Sequence, residues 1–104
     1  MRRFSFKLEK VLELRRYAER EWELKLAEVT SRVLGVEQEI AEWARRRVDA
    51  RSLHVGAGTV DMRLMTSCED YVNRIDERVL ELQHRLVALE VEREKVRGLS
   101  LIHI

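Results

Sequence analysis

The sequence is short, highly charged and free of proline. It has 104 residues, of which 38 % are charged and 6 % aromatic, with four glycines, one cysteine and a formal net charge of +1. This length is too small for two ordinary domains, and the near balance of charge excludes a strongly basic nucleic-acid-binding protein. A single cysteine excludes an internal disulfide and favours a reducing compartment. A proline-free chain rich in Ala, Glu, Leu, Lys and Arg is typical of long helices or a coiled coil.

The sequence carries no membrane-spanning or secretory segment that pattern alone would identify. No apolar run reaches about 18 residues, the length that spans a membrane. The first residues, Met1 to Lys7, lead into charged positions rather than an apolar core, so they do not form a secretory signal.

Two glycines define the expected turn. Gly56 and Gly58 are the only helix breakers that lie close together, and either can adopt the positive φ that ends a helix. The hydroxyl of Thr59 can then cap the next helix. The sequence therefore predicts two helices, over about residues 5–52 and 60–97, with a turn at 53–59.

Both predicted helices carry apolar residues in steps of three and four. This 3.5-residue period is the signature of a left-handed coiled coil. The two apolar seams are formed by Trp22, Leu26, Val29, Val33, Val36, Ile40 and Trp43 in the first helix, and by Met65, Cys68, Val72, Ile75, Val79, Leu82, Leu86 and Leu89 in the second.

An antiparallel fold at the glycine turn brings the two seams together. The two residue numbers of each facing pair then add up to 111 or 112, as for Val29 with Leu82. In this register bulky Trp43 faces small Cys68. The predicted fold is all-α, a long antiparallel two-helix coiled-coil hairpin.

The last six residues break the charged pattern. The segment 99–104, Leu-Ser-Leu-Ile-His-Ile, can be encoded by CTG TCT CTT ATA CAC ATC, a transposon end sequence used to prepare sequencing libraries. We therefore expect a single coiled-coil domain over 1–98, truncated there and followed by a non-native tail over 99–104. The alternative is a genuine apolar tail.

No constellation of residues points to catalysis. The chain has no phosphate-binding Gly-x-x-x-x-Gly-Lys-Ser/Thr loop, its histidines lack metal-ligand spacing, and Cys68 falls on the apolar seam as a small buried thiol. A pair of helices also offers no pocket that excludes water. We therefore expect no enzyme activity, cofactor, metal, nucleic acid or small-molecule substrate.

The start of the first helix is both basic and apolar. Residues 1–20 contain seven basic and three acidic side chains. The apolar groups there cover more than one seam, and they are Phe4, Phe6, Leu8, Val11, Leu12 and Leu14. Exposed aromatic and leucine side chains typically mark an interface. The alternatives are a solvated helix start for the basic residues and, for the apolar residues, a frayed end made sticky by truncation.

The same segment carries a family resemblance. The run from Phe4 to Arg15, Phe-Ser-Phe-Lys-Leu-Glu-Lys-Val-Leu-Glu-Leu-Arg, resembles the N-terminal signature of the FliJ family, the stalk proteins of the bacterial flagellar export apparatus. The second helix from Asp70 to Arg97 is also similar, although much of it is generic coiled coil.

The resemblance implies a function without catalysis. It implies a cytoplasmic stalk and chaperone component, peripheral at the cell membrane, that docks in the hexameric export ATPase ring of the flagellar type III system. It further implies contacts with the export gate membrane protein and with export chaperones. The expected docking residues are Phe4, Phe6, Leu8, Val11, Leu12, Leu14 and Arg15, with Arg15 facing an acidic loop of the ring. The alternatives are a generic coiled-coil adaptor or scaffold and the related stalk of a virulence-type secretion system.

Overall fold

Two long α-helices make up the described chain. The computed structural model describes the backbone of residues 2–56 and 62–103 and the side chains of residues 2–52 and 62–98. Helix α1 spans Arg2–Gly56 and helix α2 spans Met62–His103, and these ranges contain no strand. The predicted all-α fold of two paired helices is confirmed. Helix α1 extends beyond both ends of the predicted range 5–52, and α2 extends past its predicted end at 97.

The first helix continues into the predicted turn. Residues 53–56 belong to α1, whereas Gly58 and Thr59 lie outside the described residues. A glycine inside a helix costs only about 1 kcal/mol relative to alanine, and the chain has no proline that would stop the helix. The helix therefore extends through Gly56, and the prediction that the turn begins at residue 53 was wrong.

The second helix continues past its predicted end. It runs to His103, so the backbone of residues 99–103 is helical. The non-native origin of the segment 99–104 stays a prediction.

The chain divides into two compact units. Unit 1 comprises Met1–Arg32 and Leu89–Ile104, and unit 2 comprises Val33–Ala88. Each unit contains a segment of both helices and its own part of the apolar seam. The single domain over 1–98 stays a prediction.

An apolar seam joins the two helices in unit 2. Its most deeply buried side chains, Val33, Ile75 and Leu82, are each 1 % exposed. Val36, Ala50 and Val72 are buried beside them. Removing side chains of this size from water stabilises a fold by about 1.5–3 kcal/mol each, so this seam is the main source of stability in unit 2.

Two ion pairs between the helices report the register of unit 2. Arg47 Nε donates to Asp76 Oδ1 at 2.8 Å, and Arg78 Nη2 donates to Glu39 Oε1 at 3.1 Å. The numbers of these partners total 123 and 117, instead of the predicted 111 or 112. Facing positions therefore lie about one heptad further along α2 than the sequence pattern predicted.

The register error has a simple physical origin. A seam repeats every seven residues. Shifting one helix along the other by seven residues therefore brings apolar positions opposite apolar positions again. The extension of α1 through Gly56 selects the later alternative. Cys68, predicted to face Trp43, instead lines a groove with Ala50 and Tyr71. Cys68 was predicted to be a small buried thiol, and it is half-buried.

In unit 1 a tryptophan of α1 donates a hydrogen bond to the backbone of α2. Trp22 Nε1 donates to the carbonyl oxygen of Val96 at 2.7 Å, and Val29 and Val96 are buried. The two residue numbers joined by the hydrogen bond total 118, so unit 1 has the same shifted register.

Candidate partner-binding surface

The candidate surface lies at the start of α1, in unit 1. Because α1 is continuous from Arg2, each residue advances about 100° around the axis. This places Phe4, Leu8, Val11 and Arg15 on one side of the helix, which we call the N-terminal face. Leu12 and Leu14 flank this face on its two edges.

The apolar side chains of this surface are open to solvent. All six predicted apolar docking residues are between 43 % and 74 % exposed, with Phe4 the most exposed of them. Arg15 is exposed as well. Of these residue types only valine is buried further along α1, at Val29, Val33 and Val36.

The register of unit 1 accounts for this exposure. Counting from the contact between Trp22 and Val96, the last helical residue of α2, His103, lies level with about residue 15 of α1. No described residue of α2 therefore lies level with Val11 or Leu8.

Phe6 lies apart from the other predicted docking residues. It is two residues from Phe4, so the two rings project about 160° apart around the helix. The ammonium of Lys10 lies 5.4 Å from the centre of the Phe6 ring, a cation–π contact worth about 0.5–1 kcal/mol when exposed. The structure therefore does not bring all seven predicted residues onto one face.

A second apolar stripe accompanies Phe6. Tyr17 and Leu24 are 65 % and 66 % exposed and lie on the same side of α1 as Phe6. This stripe lies away from the seam, so the apolar periodicity that predicted the helix pairing did not reveal it. The spacing of 11 and then 7 residues from Phe6 is the signal that would have found it.

Electrostatics at this end oppose the helix dipole. The first turn of α1 contains no acidic residue, and Arg2 and Arg3 stand where the dipole is positive. Cations at a helix N-terminus are unfavourable, so this charge does not serve helix stability. None of the ion pairs in the described residues includes Arg15, so its charge is open to an acidic partner.

The arginine cluster in α1, by contrast, is engaged within the chain. Arg45 and Arg46 each bind Glu42, at 2.8 Å and 3.4 Å, and Arg47 binds Asp76. The guanidinium of Arg46 also lies 4.7 Å from the centre of the Trp43 ring. These contacts tie the cluster to neighbouring side chains of unit 2.

Two further properties concern the described residues only. Among them, no group of three or more histidine, cysteine or acidic side chains is placed to hold a metal ion. Neither described helix contains a segment long and apolar enough to cross a membrane.

Comparison with known proteins identifies no relative. No family model, no curated protein and no solved structure matches the chain.

Proposed function

We propose that the chain is a non-enzymatic stalk and chaperone component of the bacterial flagellar type III export apparatus. In this proposal the start of α1 docks in the hexameric export ATPase ring. The remainder couples the ring to the export gate membrane protein and to the escort chaperones. The protein would then be cytoplasmic and peripheral at the cytoplasmic face of the cell membrane.

The resemblance of the run from Phe4 to Arg15 to the FliJ signature carries the proposal, and the exposure of these side chains in unit 1 supports it. Apolar side chains that are open to solvent in a charged helix mark an interface, and large aromatic groups are typical interface anchors. Phe4 and Phe6 project on opposite sides of the helix, with exposures of 74 % and 61 %. A socket that encloses the helix end, as the lumen of a ring does, suits this arrangement better than a flat surface.

Charge supports the same partner. Residues 1–20 carry a local charge of +4, from seven basic and three acidic groups. Basic residues such as Arg15 steer association with an acidic surface and help to select the partner. An acidic lining of the ring would complement this helix end.

A titration of the chain against the purified hexameric export ATPase tests the proposal. Leu8→Glu would bury an unpaired carboxylate in the interface and should weaken binding at least about tenfold. The matched control is Leu64→Glu in unit 2, where Leu64 is 45 % exposed at the start of α2, and it should bind like the wild type.

Two results would contradict the proposal. One is the absence of saturable binding by the wild type, which would favour a generic coiled-coil scaffold. The other is equal binding by both variants. Flagellar genes beside the coding gene would support the proposal, whereas needle-complex genes would favour the virulence-type stalk.

A further inference from the structure

An arginine occupies a position of the apolar seam in unit 1. Arg93 follows Leu89 by four residues and precedes Val96 by three, which is the spacing of the seam. Its side chain is half-buried. The contact between Trp22 and Val96 places Arg93 across from the segment of α1 between Trp22 and Leu26. A guanidinium group therefore lies where the heptad pattern favours an apolar side chain.

This guanidinium group has no partner in the described part of the chain. The Nε atom of Arg93 is shielded from solvent and has no hydrogen-bond acceptor among the described residues. Its two terminal nitrogens form no hydrogen bond or ion pair with those residues either. A buried donor without an acceptor has lost its hydrogen bond to water and has none in exchange, which costs free energy. Arg93 therefore weakens the pairing of the two helices in unit 1.

Arg47 in unit 2 shows how the chain satisfies an arginine in the seam. It follows Trp43 by four residues and precedes Ala50 by three, the same spacing as for Arg93, and it is half-buried too. Asp76 of α2 accepts hydrogen bonds from its Nε at 2.8 Å and from its Nη2 at 3.4 Å. The same residue type in the same kind of position is thus tied to the facing helix in unit 2 and left without a partner in unit 1.

The other contacts between the helices differ in the same direction. Of the described side chains, two are buried in unit 1, Val29 and Val96, whereas six are buried in unit 2. Two ion pairs join the helices within unit 2, but the ion pairs among the described residues of unit 1 each lie within one helix. The hydrogen bond from Trp22 is the one polar contact between the helices in the described part of unit 1. Unit 1 is therefore held together less strongly than unit 2.

We propose that the two helical segments of unit 1 separate from each other while unit 2 stays paired, and that the unpaired Nε of Arg93 sets how often they separate. Separation gives water access to Nε, so the open state regains a hydrogen bond that the paired state lacks. Proteins open locally in contiguous segments that are less stable than the whole fold. Each opening uncovers the side chains of Trp22, Val29 and Val96. This opening goes beyond the proposed function and does not depend on it.

The rate at which a buried cysteine is alkylated tests the opening. In a chain with Cys68→Ala, Val96→Cys reports on unit 1 and Val72→Cys reports on unit 2, because both valines are buried residues of α2. Val72 lies ten residues from the start of α2 and Val96 seven residues from its end, so the two sites are similarly far from a helix terminus. Uncharged iodoacetamide should react at position 96 at least about tenfold faster than at position 72.

Arg93→Met tests the cause of the opening. Methionine keeps an apolar stem and removes the guanidinium group, so alkylation of Val96→Cys should slow at least about fivefold, while alkylation of Val72→Cys should not change. Arg93→Lys should slow the reaction at position 96 as well. Lysine has a methylene group in place of Nε, and its flexible stem lets the ammonium reach solvent.

The matched control is Arg97→Met in the same unit. It also removes one positive charge beside position 96, but Arg97 is exposed and donates a hydrogen bond to Glu94 at 3.0 Å. Arg97→Met should therefore not slow alkylation at position 96. Far-ultraviolet circular dichroism should show equal helicity in all of the variants.

Several results would overturn the proposal. Equal alkylation rates at positions 96 and 72 would show that unit 1 does not open separately. An Arg93→Met variant that slows both positions equally would show a change in global stability instead of a local one. Alkylation at position 96 that stays at the wild-type rate in Arg93→Met or Arg93→Lys, or that Arg97→Met slows as much, would refute the role of the unpaired Nε.

Discussion

The indole nitrogen of Trp22 donates a hydrogen bond to the backbone carbonyl of Val96, 74 residues later in the chain, at 2.7 Å. This single contact ties the two helices of unit 1 in one register, because the donor belongs to a large rigid side chain. The acceptor is a main-chain atom, so the contact depends on the axial position of α2 relative to α1 and not on the identity of residue 96.

The first prediction concerns this hydrogen bond. Trp22→Phe keeps an aromatic ring in place but removes the donor, and it should lower the free energy of unfolding by about 1–2 kcal/mol. The measurement is urea denaturation followed by circular dichroism. Trp43→Phe is the matched control, because Trp43 is half-buried and its indole nitrogen donates no hydrogen bond among the described residues. A loss for Trp43→Phe equal to that for Trp22→Phe would contradict the role of the bond.

The second prediction concerns the register of unit 2. Val36 and Leu82 are both buried, and their residue numbers total 118, which the shifted register brings together. Cysteines at these two positions, with Cys68→Ala, should form a disulfide within one chain under mild oxidation, because facing seam residues have suitable Cα separations. Non-reducing electrophoresis and mass spectrometry measure the product.

The control pair for that cross-link is Val29 with Leu82, which the sequence-derived register would bring together. It should form little intrachain disulfide under the same oxidation. A more efficient cross-link for Val29 with Leu82 than for Val36 with Leu82 would favour the earlier register.

The third prediction concerns the seam itself. Leu82 is 1 % exposed, so Leu82→Ala should leave a cavity and lower the free energy of unfolding by about 3 kcal/mol. Leu24→Ala serves as the control with the same change at a side chain that is 66 % exposed. Chemical denaturation of both variants gives the comparison. Similar decreases in the free energy of unfolding would show that the seam does not shield Leu82 from solvent.

The fourth prediction concerns Arg78 and pH. The hydrogen bond to Glu81, followed by that to Glu39, raises the pKa of Arg78 above its ordinary value. A basic group with a raised pKa contributes stability that is lost only as pH rises through that pKa in the folded state. The effect of Arg78→Met on the melting temperature should therefore be the same at about pH 7 and about pH 10.

Salt concentration, unlike pH in this range, should change the stability that the ion pairs of Arg78 contribute. Its ion pairs are largely exposed, so raising the salt concentration to about 1 M should shrink the effect of Arg78→Met by screening. Arg85→Met is the control, since Arg85 forms no ion pair among the described residues. An effect of Arg78→Met that disappears by about pH 10 would contradict the raised pKa.

Local pattern was sufficient for some features of the fold and insufficient for others. The steps of three and four around Val33 and Ile75 predicted two helices and most of the buried residues, because burial follows from periodicity. The register did not follow, since a shift of seven leaves the pattern unchanged and only the length of α1 near Gly56 decides it. A preference of about 1 kcal/mol at a glycine is too small to end a helix.

The candidate surface was also predicted in part. Sequence composition found the apolar and basic residues from Phe4 to Arg15, because such residues are unusual in a solvated helix. It did not separate Phe6 from Phe4, since both follow the same short motif and only the helical rotation of about 100° per residue divides them. Tyr17 and Leu24 were missed because Tyr17 follows Phe6 by 11 residues and Leu24 follows Tyr17 by 7, and this stripe does not follow the seam.

The last prediction uses that separation to test how the helix end docks. Phe4→Ala and Phe6→Ala remove the same ring from opposite sides of α1. If a ring lumen encloses the helix, each change should weaken binding to the purified hexameric export ATPase by about 2 kcal/mol, as the loss of a buried aromatic anchor does. Because the two side chains do not share contacts, the losses in the double variant should be nearly additive. Calorimetric titration measures all four proteins.

The control is Tyr71→Ala, an aromatic residue in unit 2 that is 40 % exposed, and it should leave ATPase binding unchanged. Helicity should stay near the wild-type value in every variant, because Phe4 and Phe6 lie outside the buried seam. Loss of binding for Phe4→Ala alone would show one-sided docking through the N-terminal face and would refute the enclosing socket. Wild-type binding by the double variant would exclude both rings and leave Arg15 and the leucines from Leu8 to Leu14 as the docking residues.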